Sequence, residues 1–179
     1  MTEVAKTYAQ SLYDLAKDEG LDKIILEQLD VLDDSFTREP AFLRLLSAPD
    51  IAKQERCGIL DESFRGKVQP YVLNFLKILT EKGYIRHFSD CCRAYREQYN
   101  QDNGILSVRV VSAVALSAQQ RDKLVAKLSQ VTGKTISLTC TTDPDCLVGI
   151  RLDYDGKRVD GTVQSRLESI SKLLKNTKL

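Results

Sequence analysis

Little in this sequence is suited to catalysis, to metal binding or to crossing a membrane. One histidine, His87, serves 179 residues, and no G-x-S-x-G segment accompanies it, so the common hydrolase arrangements have no support. Gly149 and Gly161 lack the spacing of a dinucleotide fingerprint or a phosphate loop, and no Lys-Ser/Thr ending follows them. No apolar run approaches the roughly 18 to 20 residues that a spanning helix needs. The five cysteines contain no C-x-x-C pair, and zinc-ligand spacing is absent. Charge of one sign is not in excess either: 26 basic residues face 25 acidic ones, which leaves no global field to gather nucleic acid or a membrane surface. The expectation is a noncatalytic chain with no cofactor, metal, small-molecule substrate or nucleic-acid partner, and with no direct membrane insertion. His87 lies in GYIRHFSD at a helix start, where a solvated or capping role suits it. The Lys157-Arg158 pair reads as solvated charge at a hairpin tip.

What is present belongs to a globular protein. Apolar residues make up 42% and charged residues 28%, enough to bury one substantial core or two small ones. The opening MTEVAKTYAQSLYDLAKDEG breaks its apolar residues with charge and does not resemble a signal or transit peptide. With an odd number of cysteines this favours cytosolic synthesis and reduced thiols. One rival reading keeps the cysteines in play, a thiol-dependent redox or metal-binding protein, and it requires an exposed thiolate of lowered pKa.

Up to Asn103 the apolar spacing is helical. Ala5, Ala9, Leu12 and Ala16 form a first stripe, with Gly20 placed as its C-cap. Ile25, Leu29, Leu32 and Phe36 form a second, closed by Pro40. Phe42, Leu45 and Leu46 suit a short helix ended by Pro49, and Asp50 is placed to cap a helix from Ile51 to Phe64. Val68, Val72, Phe75, Leu76 and Leu79 stop at Gly83. Ile85, Phe88, Cys92, Tyr95 and Tyr99 carry a last long helix. Short links between about six such segments predict a helical bundle.

At Gly104 the period changes. Leu106, Val108 and Val110 alternate with Ser107 and Arg109, as in a half-buried strand. Ser117 and Gln120 make an S-x-x-Q capping box before Leu124, Val125 and Leu128, and Gly133 ends that helix. Ile136, Leu138 and Cys140 give a further strand, so a strand, helix and strand crossover is expected. Ile150, Leu152 and Tyr154 then run to an Asp155-Gly156 turn, which reads as a hairpin with Val159 on its return. Gly161 leads to a closing helix carrying Val163, Leu167, Ile170 and Leu174. The whole is an α+β chain: a six-helix bundle over residues 1–103, then a small α/β domain over 104–179 with about four strands in a mixed sheet and two helices.

Two helices are apolar over more than one face. Beside its main stripe the first carries Val4, Tyr8, Ser11 and Leu15, and the fifth carries Tyr71, Asn74 and Ile78. Such arcs fit either a central position in the bundle or a groove that accepts an amphipathic helix from another protein.

The order of residues adds a resemblance. Pro144, Leu147, Gly149, Val159, Asp160-Gly161-Thr162 and Arg166-Leu167 resemble the closing signature of the delta subunits of F-type ATP synthases, whose mitochondrial relatives are called oligomycin-sensitivity-conferring proteins. Ala5, Tyr8, Ala9 and Leu12 resemble the family's opening, with Ser11 where alanine is common. FLKILTEKGYIRHF resembles its middle segment, with Tyr84 replacing arginine or lysine. SAVALSAQQRDKLVAKLSQVTGKTISL is similar to its strand, S-x-x-Q helix and T-G-K turn. Val148 and the order Asp155-Gly156 depart from the usual closing pattern. The resemblance implies a noncatalytic stator subunit, peripheral on the cytoplasmic face of the cell inner membrane through its complex, that lets proton flow drive ATP synthesis. By position it implies that Tyr8, Ser11, Asn74, Phe75 and Ile78 line a groove for the alpha subunit N-terminal helix. It also implies that the C-terminal domain holds the b subunits of the peripheral stalk.

Overall fold

The computed structural model describes residues 3–144, 150–154 and 157–160. Cys146, Gly149, the Asp155-Gly156 turn, Gly161 and the expected closing helix lie outside the described residues. Within them are seven α-helices and a four-stranded mixed sheet, an α+β fold. By its contacts the chain divides into two compact units, residues 1–99 and 100–179.

The first unit holds α1 (Glu3–Asp18), α2 (Asp22–Arg38), α3 (Pro40–Leu46), α4 (Lys53–Phe64), α5 (Pro70–Glu81), a 3-10 turn (Ile85–His87) and α6 (Phe88–Asp102), which runs past the division. Their apolar stripes meet in one core, with Tyr13, Ile25, Leu29, Leu60, Leu76, Phe88 and Tyr95 almost fully buried. Phe36 of α2 touches three other rings, Phe42 of α3, Phe64 of α4 and Phe88 at the start of α6, at centroid distances of 5.6, 6.2 and 5.1 Å. It is the aromatic hub of the unit.

Gly20 acts as the sequence suggests. It has φ +66°, its N–H donates to the Lys17 carbonyl at 3.1 Å, and the next N–H, of Leu21, donates to Ala16 at 2.8 Å. These are the paired bonds of a Schellman ending. Asp50 does not act as expected. The α4 helix starts two residues late, at Lys53, with Ala52 in the cap position and no side-chain cap bond. In the first turn of α4 the buried Arg56 donates from Nη1 to the Leu46 carbonyl at 2.9 Å, bringing a cation to the C-terminal end of α3, where the helix dipole favours one.

A seam joins α6 to α2. Tyr95 donates its phenol to the Asp22 carbonyl at 3.0 Å, and the Cys92 thiol reaches the Leu29 carbonyl at 3.7 Å. Ser89 donates to Asp33, and Arg96 pairs with Asp30. From Ser89 through Cys92 to Tyr95 the partners fall from Asp33 through Leu29 to Asp22, so the two helices run antiparallel. Tyr13 of α1 meets Tyr95 edge to face at 5.3 Å.

The second unit is built on β1 (Ile105–Ser112), which pairs in parallel with β2 (Thr135–Thr142) and antiparallel with β3 (Ile150–Tyr154), while β4 (Lys157–Asp160) pairs antiparallel with β3. The sheet order is β2-β1-β3-β4. The α7 helix (Ala118–Thr132) makes the expected crossover between β1 and β2. Its capping box is present on both sides, the Gln120 N–H to Ser117 Oγ at 3.3 Å and the Ser117 N–H to Gln120 Oε1 at 2.9 Å, and Gly133 ends it in the left-handed region. Leu124 and Leu128 lie over Leu106, Val108, Val110, Ile136 and Leu138 on one face of the sheet. The other face carries Ser107, Arg109, Arg151 and Asp153, with Arg158 donating to Asp153 at 2.8 Å. Tyr154 pairs with Lys157 in the β3–β4 register.

Candidate partner-binding surface

The α1 helix is apolar on two sides, and the two sides are buried differently. Ala5, Ala9, Leu12 and Ala16 are sealed in the core, where three alanines allow neighbouring backbones to approach closely. The second stripe is left partly open: Val4 and Tyr8 are half-buried, Ser11 is exposed, and Leu15 is 42% exposed. Ser11 returns its hydroxyl to its own helix, donating to the Thr7 carbonyl at 3.0 Å. That satisfies the hydroxyl within the helix itself.

The α5 helix packs against α1 and divides in the same manner. Val72, Leu76 and Leu79 are fully buried, Tyr71 and Ile78 are half-buried, and Asn74 is exposed. Of the five residues singled out from the sequence, Tyr8, Ser11, Asn74 and Ile78 therefore reach the surface of two neighbouring helices. Phe75 does not open outward; at 5% exposure it belongs to the core.

Sequence reasoning missed Tyr84. The α5 helix ends on Gly83 at φ +77°, with the Gly83 N–H on Thr80 at 3.2 Å and the Tyr84 N–H on Leu79 at 2.7 Å, a second Schellman ending. This turns the chain so that Tyr84, 36% exposed, sets its ring 6.0 Å from that of Tyr8 at an interplanar angle of 51°. The signal was legible in principle, since a glycine C-cap followed by an aromatic commonly packs back on its helix. A Cβ on residue 83 would meet nothing within 4 Å, so the demand there is backbone conformation alone. Gly83→Val is expected to destabilise the chain by about 1–3 kcal/mol and to separate Tyr84 from Tyr8. A urea melt with tyrosine fluorescence measures both.

The charge beside the strip is already neutralised. Lys77 of α5 pairs with Asp61 of α4 at 2.6 Å, and Arg65 reaches the same carboxylate at 3.0 Å. Hydrogen bonding from Lys77, reinforced by Arg65, holds the Asp61 carboxyl below the usual carboxylate range. The pair's contribution is present above the unfolded carboxyl's pKa near 4 and fades as pH falls through the lower folded value.

Three of the described thiols are held in their protonated form. Burial pushes the Cys91 thiol up to about 12 and raises that of Cys92 as well. Burial and the nearby Glu81 carboxylate raise Cys57. These shifts run opposite to what a nucleophilic thiolate requires. Among the described residues, no group of three or more His, Cys, Asp or Glu side chains is placed to hold a metal. Native protein treated with a thiol reagent at neutral pH is expected to modify the exposed Cys140 and to leave Cys91 and Cys92 unmodified until denaturant is added. Rapid native labelling of Cys91 or Cys92, read by peptide mass spectrometry, contradicts this.

An apolar strip left half-open on paired helices is the kind of surface that an interaction protein presents. The sequence comparisons agree on which kind. The family model for the ATP synthase delta (OSCP) subunit matches residues 4–174, and the chain belongs to that family, a noncatalytic part of ATP synthase. It is 32% identical over 175 residues to ATP synthase subunit delta of Alkaliphilus oremlandii, covering 96% of this chain and 97% of that one. It is 27% identical over 172 residues to the delta subunit of Clostridioides difficile, covering 96% and 95%. The fold is similar to that of a chain in the Toxoplasma gondii mitochondrial ATP synthase hexamer, with a TM-score of 0.77, 21% identity, and 99% and 100% coverage.

Proposed function

We propose that this chain clamps the catalytic head of an F-type ATP synthase to its peripheral stalk. In this reading the helices α1 to α6 work as one bundle over residues 1–103 and take the N-terminal helix of an alpha subunit along α1 and α5. Tyr8, Ser11, Asn74 and Ile78 form the contact surface, Phe75 supports it from beneath, and Tyr84 closes one end. Residues 104–179 hold the b subunits. The complex keeps the chain at the cytoplasmic face of the cell inner membrane without inserting it, so torque from proton-driven rotation is resisted rather than turning the head. The observation that carries the reading is the half-open apolar strip of Tyr8, Leu15 and Ile78 on helices whose other apolar stripes are sealed.

Burial of an amphipathic helix supplies affinity through apolar area and a slow off-rate. Calorimetric titration of the full chain with a peptide of the alpha subunit N-terminus from the same organism is expected to give saturable binding with a negative heat-capacity change. No heat of binding at several temperatures would falsify the groove assignment.

A further inference from the structure

We propose that Arg56 and Arg86 hold a phosphate group, free or at the end of a small phosphomonoester, at the C-terminal end of α3. The α1/α5 surface takes no part in it.

Two arginines from different elements converge there on successive residues. Arg56 of α4 donates from Nη1 to the Leu46 carbonyl at 2.9 Å. Arg86, in the 3-10 turn before α6, donates from Nε to Ser47 Oγ at 3.0 Å. The Ser47 hydroxyl gives its own proton to the Leu43 carbonyl at 2.8 Å, so its oxygen is turned to accept from Arg86. Each guanidinium is anchored on the end of α3 by one nitrogen. Among the described residues, Nη2 of Arg56 and both Nη of Arg86 make no bond within the chain.

Neither charge is matched. Among the described residues no carboxylate pairs with either guanidinium, although Lys77 and Arg65 share Asp61 and Arg96 takes Asp30. Asp50 and Glu55, acids close to Arg56 in sequence, are exposed and reach neither. Arg56 is only 8% exposed, and its Nε is buried without an acceptor. A buried cation with donors unpaired is destabilising unless an anion completes it. The α3 dipole supplies about half a negative charge, which leaves roughly one and a half positive charges on the pair. A phosphate monoester carries about −1.5 to −2 near neutral pH and matches that remainder. Shape points the same way. One planar fork already satisfies a carboxylate with two parallel bonds. Two forks that arrive from α4 and from the 3-10 turn suit a group with more than two oxygens.

Calorimetric titration of the full chain with inorganic phosphate and with glycerol phosphate, at constant ionic strength in chloride, tests this. Heat is the readout because phosphate raises melting points generally by exclusion from protein surfaces. Saturable binding is expected. Phosphate binding as tightly as the ester assigns the free ion, and tighter binding of glycerol phosphate assigns the ester. No saturable heat with either overturns the proposal. Arg86→Gln, at an exposed position, is expected to melt close to the parent and to bind about tenfold or more weakly, as loss of a charge-assisted contact implies. Arg121→Gln, exposed on α7, removes the same charge and is expected to bind like the parent. Undiminished binding by Arg86→Gln overturns the site, as does equal weakening in both variants, which would assign the heat to diffuse charge.

Discussion

Ile78→Asp is expected to abolish measurable binding of the alpha subunit N-terminal peptide while the chain stays folded. Ile78 is half-buried on α5, beside the fully buried Leu76 and Leu79. A carboxylate there remains hydrated in the free protein and is stranded without a partner once an apolar helix covers it. Desolvating an unpaired charge at a well-packed contact costs several kcal/mol, and about 4 kcal/mol is roughly a thousandfold in affinity. Lys77 does not rescue the new charge, because Asp61 already holds it at 2.6 Å. Calorimetry beside a urea melt reads the result. A variant that melts like the parent and binds as tightly removes Ile78 from the contact surface.

Phe36→Ala should produce the largest loss of stability of any single truncation in the first unit. The ring is 3% exposed and joins α2 to α3, α4 and α6 through three aromatic contacts. Removing a buried phenylalanine typically costs about 3–5 kcal/mol, the cavity included. The edge-on partners are expected to push the value to the upper end, since each such pair adds roughly 0.5–1.5 kcal/mol beyond area. Chemical denaturation by far-ultraviolet circular dichroism gives the number, and a loss below about 1 kcal/mol would mean that Phe42 and Phe64 collapse into the space. Peptide binding by the folded fraction should persist, because Phe36 lies on neither helix of the strip.

The elements that sequence made legible share one property: their determinants are local. Gly20, Gly133 and the pair Ser117 and Gln120 act within one turn of the chain, and the alternation in β1 and β2 reports a single face. Asp50 was misread because the cap rule gives the residue type but not where the helix begins, and α4 begins at Lys53 without a side-chain cap. Phe75 illustrates the limit of positional likeness. Its spacing from Val72 and Leu79, three and four residues, places it with the core stripe, and burial sides with the spacing. The half-open strip itself was visible only as a wide apolar arc, which a fully central helix would show equally. Tyr84 escaped notice because its place depends on a turn that brings it back to α1, some 76 positions earlier by the numbering of Tyr8 and Tyr84.

The seam between α6 and α2 links residues 56 to 73 positions apart. During synthesis α1 and α2 emerge long before the helix that packs on them, so the apolar stripe of α2 around Ile25 and Leu29 stays uncovered until Cys92 and Tyr95 arrive. The last helix of the first unit is thus its keystone. Any fragment meant to fold alone must carry the chain through Tyr95, and a ribosome pausing earlier would display an adhesive, unsealed α2 to whatever chaperone stands nearest.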